Sequence, residues 1–211
     1  ELVQLNKSPK TINIYISLLK GVWKSAKGDW GIVLPPQNPF AFVKQERVNN
    51  IRDEILTDEQ YKTLLECCSR SRLNNLKDIV QFAYITGARI NEILSLRRSN
   101  TDLKKQTAKF IDTKNGDNRS IPLTSLAVEI LKKYPFGERF FNSNYHQVSH
   151  SFDLARKEAN LKNFRFHDLR ACFCTNALLS EMSVAEVSSI SSHKDWSQLK
   201  RYTRIKAENL I

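Results

Sequence analysis

The sequence predicts a mainly α-helical fold with one small antiparallel β-sheet, an α+β domain preceded by a short helical piece. Three observations predict it. Apolar residues recur three and four positions apart through most of the 211 residues, the spacing of helices buried on one side. One interval, Thr107 to Leu123, reads instead as two short extended runs around Asn115-Gly116, a pair suited to a tight hairpin turn. A proline cluster at Pro35, Pro36 and Pro39, followed by a new helix-start signal at Leu56 to Gln60, divides the chain in two.

In chain order, Ile12, Ile16, Leu19 and Trp23, widened by Leu18 and Val22, predict a helix from Thr11 to about Trp23. The segment GDWGIVLPPQNPF cannot prolong it, because proline lacks the N–H and clashes with the preceding turn. Alternating charges around few apolar groups predict a linker over 42–55, between a first piece, 1–41, and a main domain, 56–211. Thr57 stands where it can cap the next helix, with Asp58 and Glu59 in the first turn and Gln60 at the capping-box position. Tyr61, Leu64 and Leu65 mark that helix. Leu76, Ile79, Val80, Ala83 and Tyr84 mark a second, stopping near Gly87, and Arg89 heads a short third with Ile90, Ile93 and Leu94. The runs AKFID and RSIPL predict a hairpin or three-stranded sheet with Lys114 at its bend. Further helices are expected at Leu126 to Leu131, ended by Pro135, at about Val148 to Ala159, around His167 and Arg170, and from Val184 to Ser191-Ser192-His193. A last one holds Leu199, Tyr202 and Ile205. Helix spacing is too irregular for a repeat solenoid.

Lysine and arginine number 33 against 22 acidic residues, a formal charge of +11 spread from Lys7 to Lys206. Such a surface suits a polyanion, DNA first, although a basic surface also serves solubility. Cys67, Cys68, Cys172 and Cys174 lack the spacing that converges thiolates on zinc and read as small buried hydrophobes in a reducing compartment. No run approaches a membrane span, and the start lacks the apolar stretch of a signal peptide. A cytoplasmic, nucleoid-associated protein is expected, and a start at Glu1 without methionine suggests a fragment. No phosphate loop of the Walker type supports a nucleotide-dependent enzyme.

Two arginines, two histidines and a tyrosine stand out. Arginine grips two nonbridging phosphate oxygens better than lysine, because its donors form a rigid, permanently charged fork. Arg89 and Arg170 suit that task if the fold joins them. Each also has a structural reading: Arg89 paired with Glu92, Arg170 with Asp168 or a helix end. His167 lies three residues before Arg170, on the same side of a helix. His146 and His150 have the gap of a metal pair, but no HExxH and no third ligand accompany them, so no metal site is assigned. Lys114 by itself is a surface lysine in a turn, and Tyr202, in step with Leu199 and Ile205, reads by itself as an amphipathic core residue.

Together these blocks resemble the tyrosine recombinases, the phage or lambda-type integrase family, from about Thr57 to Ile205. TGARINEIL matches its T-G-x-R-x-x-E-L block with Arg89, and TKNGDNRSIPL its sheet-turn lysine with Lys114. HDLR matches H-x-L-R with His167 and Arg170. SSH and KRY match the last block, with His193 nine residues before the tyrosine at Tyr202. Ser191-Ser192 replaces the usual Leu-Gly, a change expected to leave the chemistry untouched. Ala171 and Arg204 replace histidines outside the catalytic set, and nine residues follow Tyr202, so a C-terminal docking contact is expected to be curtailed.

The resemblance implies the tyrosine recombinase catalytic-domain fold and site-specific DNA recombination by type IB cleavage and rejoining, in phage or mobile-element integration and excision. Tyr202 would attack the scissile phosphate and form a 3'-phosphotyrosyl bond, releasing a 5'-hydroxyl. Arg89 and Arg170 would bind the nonbridging oxygens and His193 would add a hydrogen bond. His167 would help manage the tyrosine proton, and Lys114 would protonate the leaving oxygen. No cofactor and no metal are implied. The partners implied are double-stranded DNA and a homo-tetrameric synapse, with the fragment monomeric without DNA. Thr11 to Pro39 is similar to the end of the family's core-binding domain, so 1–41 is expected to be its remnant, with DNA binding weakened and dominated by phosphate contacts. An architectural DNA-binding protein and a type IB topoisomerase are the competing readings.

Overall fold

The computed structural model describes residues 6–48, 54–111, 118–193 and 199. Its chain divides into two compact units, Glu1–Arg52 and Asp53–Ile211.

In the first unit, α1 (Pro9–Lys27) starts at Ser8, whose hydroxyl accepts from the Thr11 amide, with proline in the first turn where its missing N–H costs nothing. Among the described residues of this unit, Ile16 and Ala26 are buried, while Ile14, Leu18, Leu19 and Val22 stay exposed. The predicted stripe is therefore helical but largely uncovered. What lies against α1 is extended chain from the region read as linker: Asn13 exchanges two 2.8 Å hydrogen bonds with the Glu46 backbone, and Lys20 donates to the Val43 carbonyl.

The second unit begins with α2 (Asp58–Ser69), where Thr57 and Gln60 form the expected capping box. Next come α3 (Leu76–Thr86) and α4 (Ile90–Ser95), then a single 3-10 turn at Arg98–Asn100. Strands β1 (Thr101–Asp102), β2 (Thr107–Phe110) and β3 (Arg119–Pro122) form a three-stranded antiparallel sheet in that order. Its first strand, β1, is two residues long and too short to show a period of its own. Helices α5 (Ser125–Lys132), α6 (Tyr145–Glu158), α7 (Asp168–Leu179) and α8 (Val184–Ser191) complete the described elements. Lys114 and Tyr202 lie outside the described residues, as does the predicted last helix apart from Leu199, which is fully buried.

Helix α3 is the hub, packed by α2, α5, α6 and α7. Leu76, Ile79, Val80 and Phe82 on it are fully buried, so its surroundings replace water on nearly every side. Tyr61 stacks on Tyr84 with ring centroids 3.8 Å apart, and Asn176 on α7 donates to the Tyr84 hydroxyl, tying α2, α3 and α7 together. The four cysteines are free and buried on α2 and α7. Among the described residues no helix is long and apolar enough to cross a membrane.

Candidate active site

The segment Thr86 to Glu92 is a helix stop, a sharp turn and a helix start in seven residues. Thr86 is buried and donates back to the Phe82 carbonyl at 2.6 Å, while its oxygen takes the Ala88 amide. Gly87 then turns the chain with φ 63°, the left-handed region that glycine enters without cost. A side chain here would also collide with the Phe173 ring, since a Cβ would sit 2.4 Å from its Cδ1. Arg89, extended, caps α4, and Glu92 three residues on reaches back to accept the Arg89 amide at 2.7 Å. Glu92 also accepts Arg89 Nη1 at 2.8 Å.

That carboxylate serves a second arginine. Arg119, the first residue of β3, sends Nη1 and Nη2 to the two Glu92 oxygens at 3.0 and 2.8 Å. Both side chains are buried, 8% and 6% exposed. The sheet register sets Arg119 opposite Phe110, and its guanidinium lies 5.1 Å from that ring's centroid. Burial pushes the Arg119 pKa down, as does Arg89, while Glu92 pulls it back. Glu92 thus accepts four hydrogen bonds, one from the Arg89 amide and three from two guanidinium groups, so its charge is shared rather than cancelling Arg89 alone.

Arg170 enters from α7. Its Nη1 donates to the Gly87 carbonyl at 2.8 Å and its Nη2 to the carbonyl of Ser191, the last residue of α8. Two helix C-termini, each rich in unpaired carbonyls, therefore hold one cation. Burial pushes its pKa down to about 10, repulsion from Arg89 and Arg119 adding to the effect against Cys174 and Glu92. A buried cation depressed by two neighbouring cations marks a place that an anion would relieve.

Arg89 and Arg170 line one cleft of about 1310 Å³, together with His167 at its exposed position just before α7. His146 and His150 line the same cleft from α6, with Lys109, Arg97 and Arg165. Among the described residues no three His, Cys, Asp or Glu side chains are grouped to hold a metal ion. His193 follows Ser192, whose left-handed φ of 56° ends α8. Its Nδ1 lies 2.6 Å from Ser191 Oγ, and its backbone bonds Ser188 twice, through N to O at 3.2 Å and through O from Oγ at 2.7 Å.

The structural readings of the two arginines are realised alongside their convergence: Arg89 does pair with Glu92, and Arg170 does bind helix ends. Asp168, the other suggested partner of Arg170, accepts the Arg165 amide at 2.8 Å. Ser191, one of the two serines in place of Leu-Gly, touches both Arg170, through its carbonyl, and His193, through its hydroxyl. Arg119 is absent from the sequence-derived site. Its signal is one arginine at the head of a strand, and no local pattern says that the strand begins beside Glu92.

The fold and the site together define a mostly helical domain with a small antiparallel sheet, in which Arg89 and Arg170 converge on one cleft. Residues 54–209 match the phage integrase family, and the chain belongs to that family. It is 29% identical over 204 residues to a shufflon-specific DNA recombinase of Escherichia coli, covering 95% of this chain and 52% of that protein. The chain thus spans about half the length of that relative. The catalytic domain of bacteriophage HP1 integrase superposes with a TM-score of 0.60 at 26% identity, covering 71% of this chain and 86% of that one. The Tn1549 transposon integrase, solved in complex with a circular intermediate DNA, shares the fold with a TM-score of 0.77 at 18% identity, over 100% of this chain and 82% of that one.

Proposed function

We propose that this chain carries the catalytic domain of a site-specific DNA recombinase, acting by type IB cleavage and rejoining in phage or mobile-element integration and excision. The observation that carries the reading is the meeting of Arg89 and Arg170 in one cleft, with Glu92 shared by Arg119 so that net positive charge remains. In this reading the Tyr202 oxygen attacks the scissile phosphorus, the phosphotyrosyl bond forms as the 5'-oxygen bond breaks, and Lys114 supplies the proton to that oxygen. The arginines hold the nonbridging oxygens as charge builds on them. His193 adds a hydrogen bond, and His167 takes part in moving the tyrosine proton.

The partner is double-stranded DNA, and the working assembly is a homo-tetramer in the recombination synapse, the isolated chain being monomeric. Residues 1–41 form the end of a core-binding domain and 42–55 the linker. The protein acts on the nucleoid in the cytoplasm, without metal or cofactor.

The test is covalent trapping on nicked suicide duplexes bearing candidate sites, with the wild-type chain and Tyr202→Phe. An adduct at the 3'-phosphate that disappears in Tyr202→Phe supports the reading. Specific binding with no adduct, on a duplex whose scissile position is known from recombination products, would overturn it in favour of an architectural DNA-binding protein. Cleavage that reseals on its own strand, without synapsis, would favour a topoisomerase.

A further inference from the structure

Ser191 is completely buried and serves two site residues at once. Its carbonyl accepts Arg170 Nη2, and its hydroxyl lies 2.6 Å from His193 Nδ1 and 2.5 Å from the Val187 carbonyl. A serine hydroxyl carries a single hydrogen. The Val187 oxygen can only accept, so the shorter contact uses that hydrogen. The contact to His193 is then a bond in which Nδ1–H donates and Ser191 Oγ accepts.

We propose that Ser191 is a positioning residue for His193: it keeps a proton on Nδ1, fixes the ring plane, and leaves Nε2 as the nitrogen that meets substrate. The backbone supports the same arrangement. The left-handed turn at Ser192 brings the ring back toward α8, and Ser188 bonds the His193 backbone on both sides. A neutral ring held this way offers Nε2 as an acceptor. A ring that donates from Nε2 to a phosphate oxygen therefore carries both protons, and the Ser191 oxygen is already placed to receive the second N–H. Leucine, usual at this position in the resembled pattern, has no oxygen for this bond, so the device belongs to the serine of this chain. The catalytic consequence rests on the function proposed above; the placement of the proton does not.

The test has two arms on the whole chain. Ring nitrogen–proton correlation spectra, with His193 assigned through His193→Gln, are expected to show a proton on Nδ1 in the wild type and to lose that pattern in Ser191→Ala. Single-turnover adduct formation on a suicide duplex is expected to slow about tenfold in Ser191→Ala, the weight of one hydrogen bond, with duplex affinity unchanged. Ser191→Thr, which keeps the hydroxyl, is expected to restore both the spectrum and the rate. A neutral wild-type ring protonated at Nε2 alone, or a spectrum unmoved by Ser191→Ala, overturns the proposal even where a variant folds poorly. Wild-type cleavage with Ser191→Ala equally fast overturns its catalytic part. A wild type that forms no adduct counts against the recombinase reading, and the spectra still decide where the proton sits.

Discussion

Gly87 offers its carbonyl to the Arg170 guanidinium at 2.8 Å, across 83 residues of sequence. The bond exists because the left-handed turn at Gly87 ends α3 beside α7, with the Phe173 ring against the bare Cα. Gly87→Ala is expected to destabilise the domain by about 2–4 kcal/mol, from left-handed backbone strain plus overpacking on Phe173. In a Phe173→Ala background the same substitution is expected to cost about 1 kcal/mol, the backbone part alone. Denaturant unfolding of the four proteins checks this. Equal costs in both backgrounds would remove the ring from the explanation.

Glu92 holds two arginines, so removing one leaves a buried carboxylate with the other. Arg119→Met is expected to cost about 3 kcal/mol of stability, as breaking a buried pair does. It is also expected to slow adduct formation, because Glu92 then neutralises Arg89 undividedly. Arg119→Met/Glu92→Gln is expected to recover part of the cleavage rate by removing the carboxylate that neutralises Arg89. A double variant no faster than Arg119→Met would show that Arg119 acts by packing on Phe110 rather than through charge.

Most of this was legible where one stretch of chain carries a whole device. The helix stop at Gly87, the cap at Arg89 and the box at Thr57 are local, and each falls where its residues predict. The pairing of β2 with β3 follows from two short runs, while the turn predicted at Asn115-Gly116 lies outside the described residues. What could not be read was contact across the fold. Nothing near Arg119 in sequence shows that Glu92 awaits it, and nothing in SSH shows that the first serine will meet both Arg170 and His193. Exposure was also misjudged for α1, because a periodic stripe says which face is apolar without saying what covers it.

The buried thiols give a pH test. Burial, with Cys67 and Glu158 adding to it, pushes Cys68 up to about 12. Burial likewise pushes Cys172 up to about 11, against an ordinary value near 9. A folded-state pKa above the unfolded one means stability that is complete below about pH 9 and is lost as pH rises toward 11–12. Cys68→Ala/Cys172→Ala is therefore expected to flatten the fall in unfolding free energy above pH 9. At pH 8 thiol labelling of the native protein is expected to track global unfolding; rapid labelling of either residue would show that it is reached without unfolding.

The cleft wall gives the last test, and it separates phosphate binding from site recognition. Lys109 and Arg165 are exposed and line the cleft that holds Arg89 and Arg170. Cations that neutralise phosphates release condensed counterions, so each contact contributes about 0.9 to the slope of log affinity against log salt. Lys109→Gln and Arg165→Gln are each expected to lower that slope by about this amount and to weaken binding to unrelated duplexes equally. Neither residue holds Glu92, Gly87 or Ser191, so the arginine geometry is expected to survive both changes. Binding measured from 50 to 200 mM salt reads the slope directly. An unchanged slope would place the DNA backbone away from this wall, whereas a loss confined to one sequence would make the residue a reader of bases.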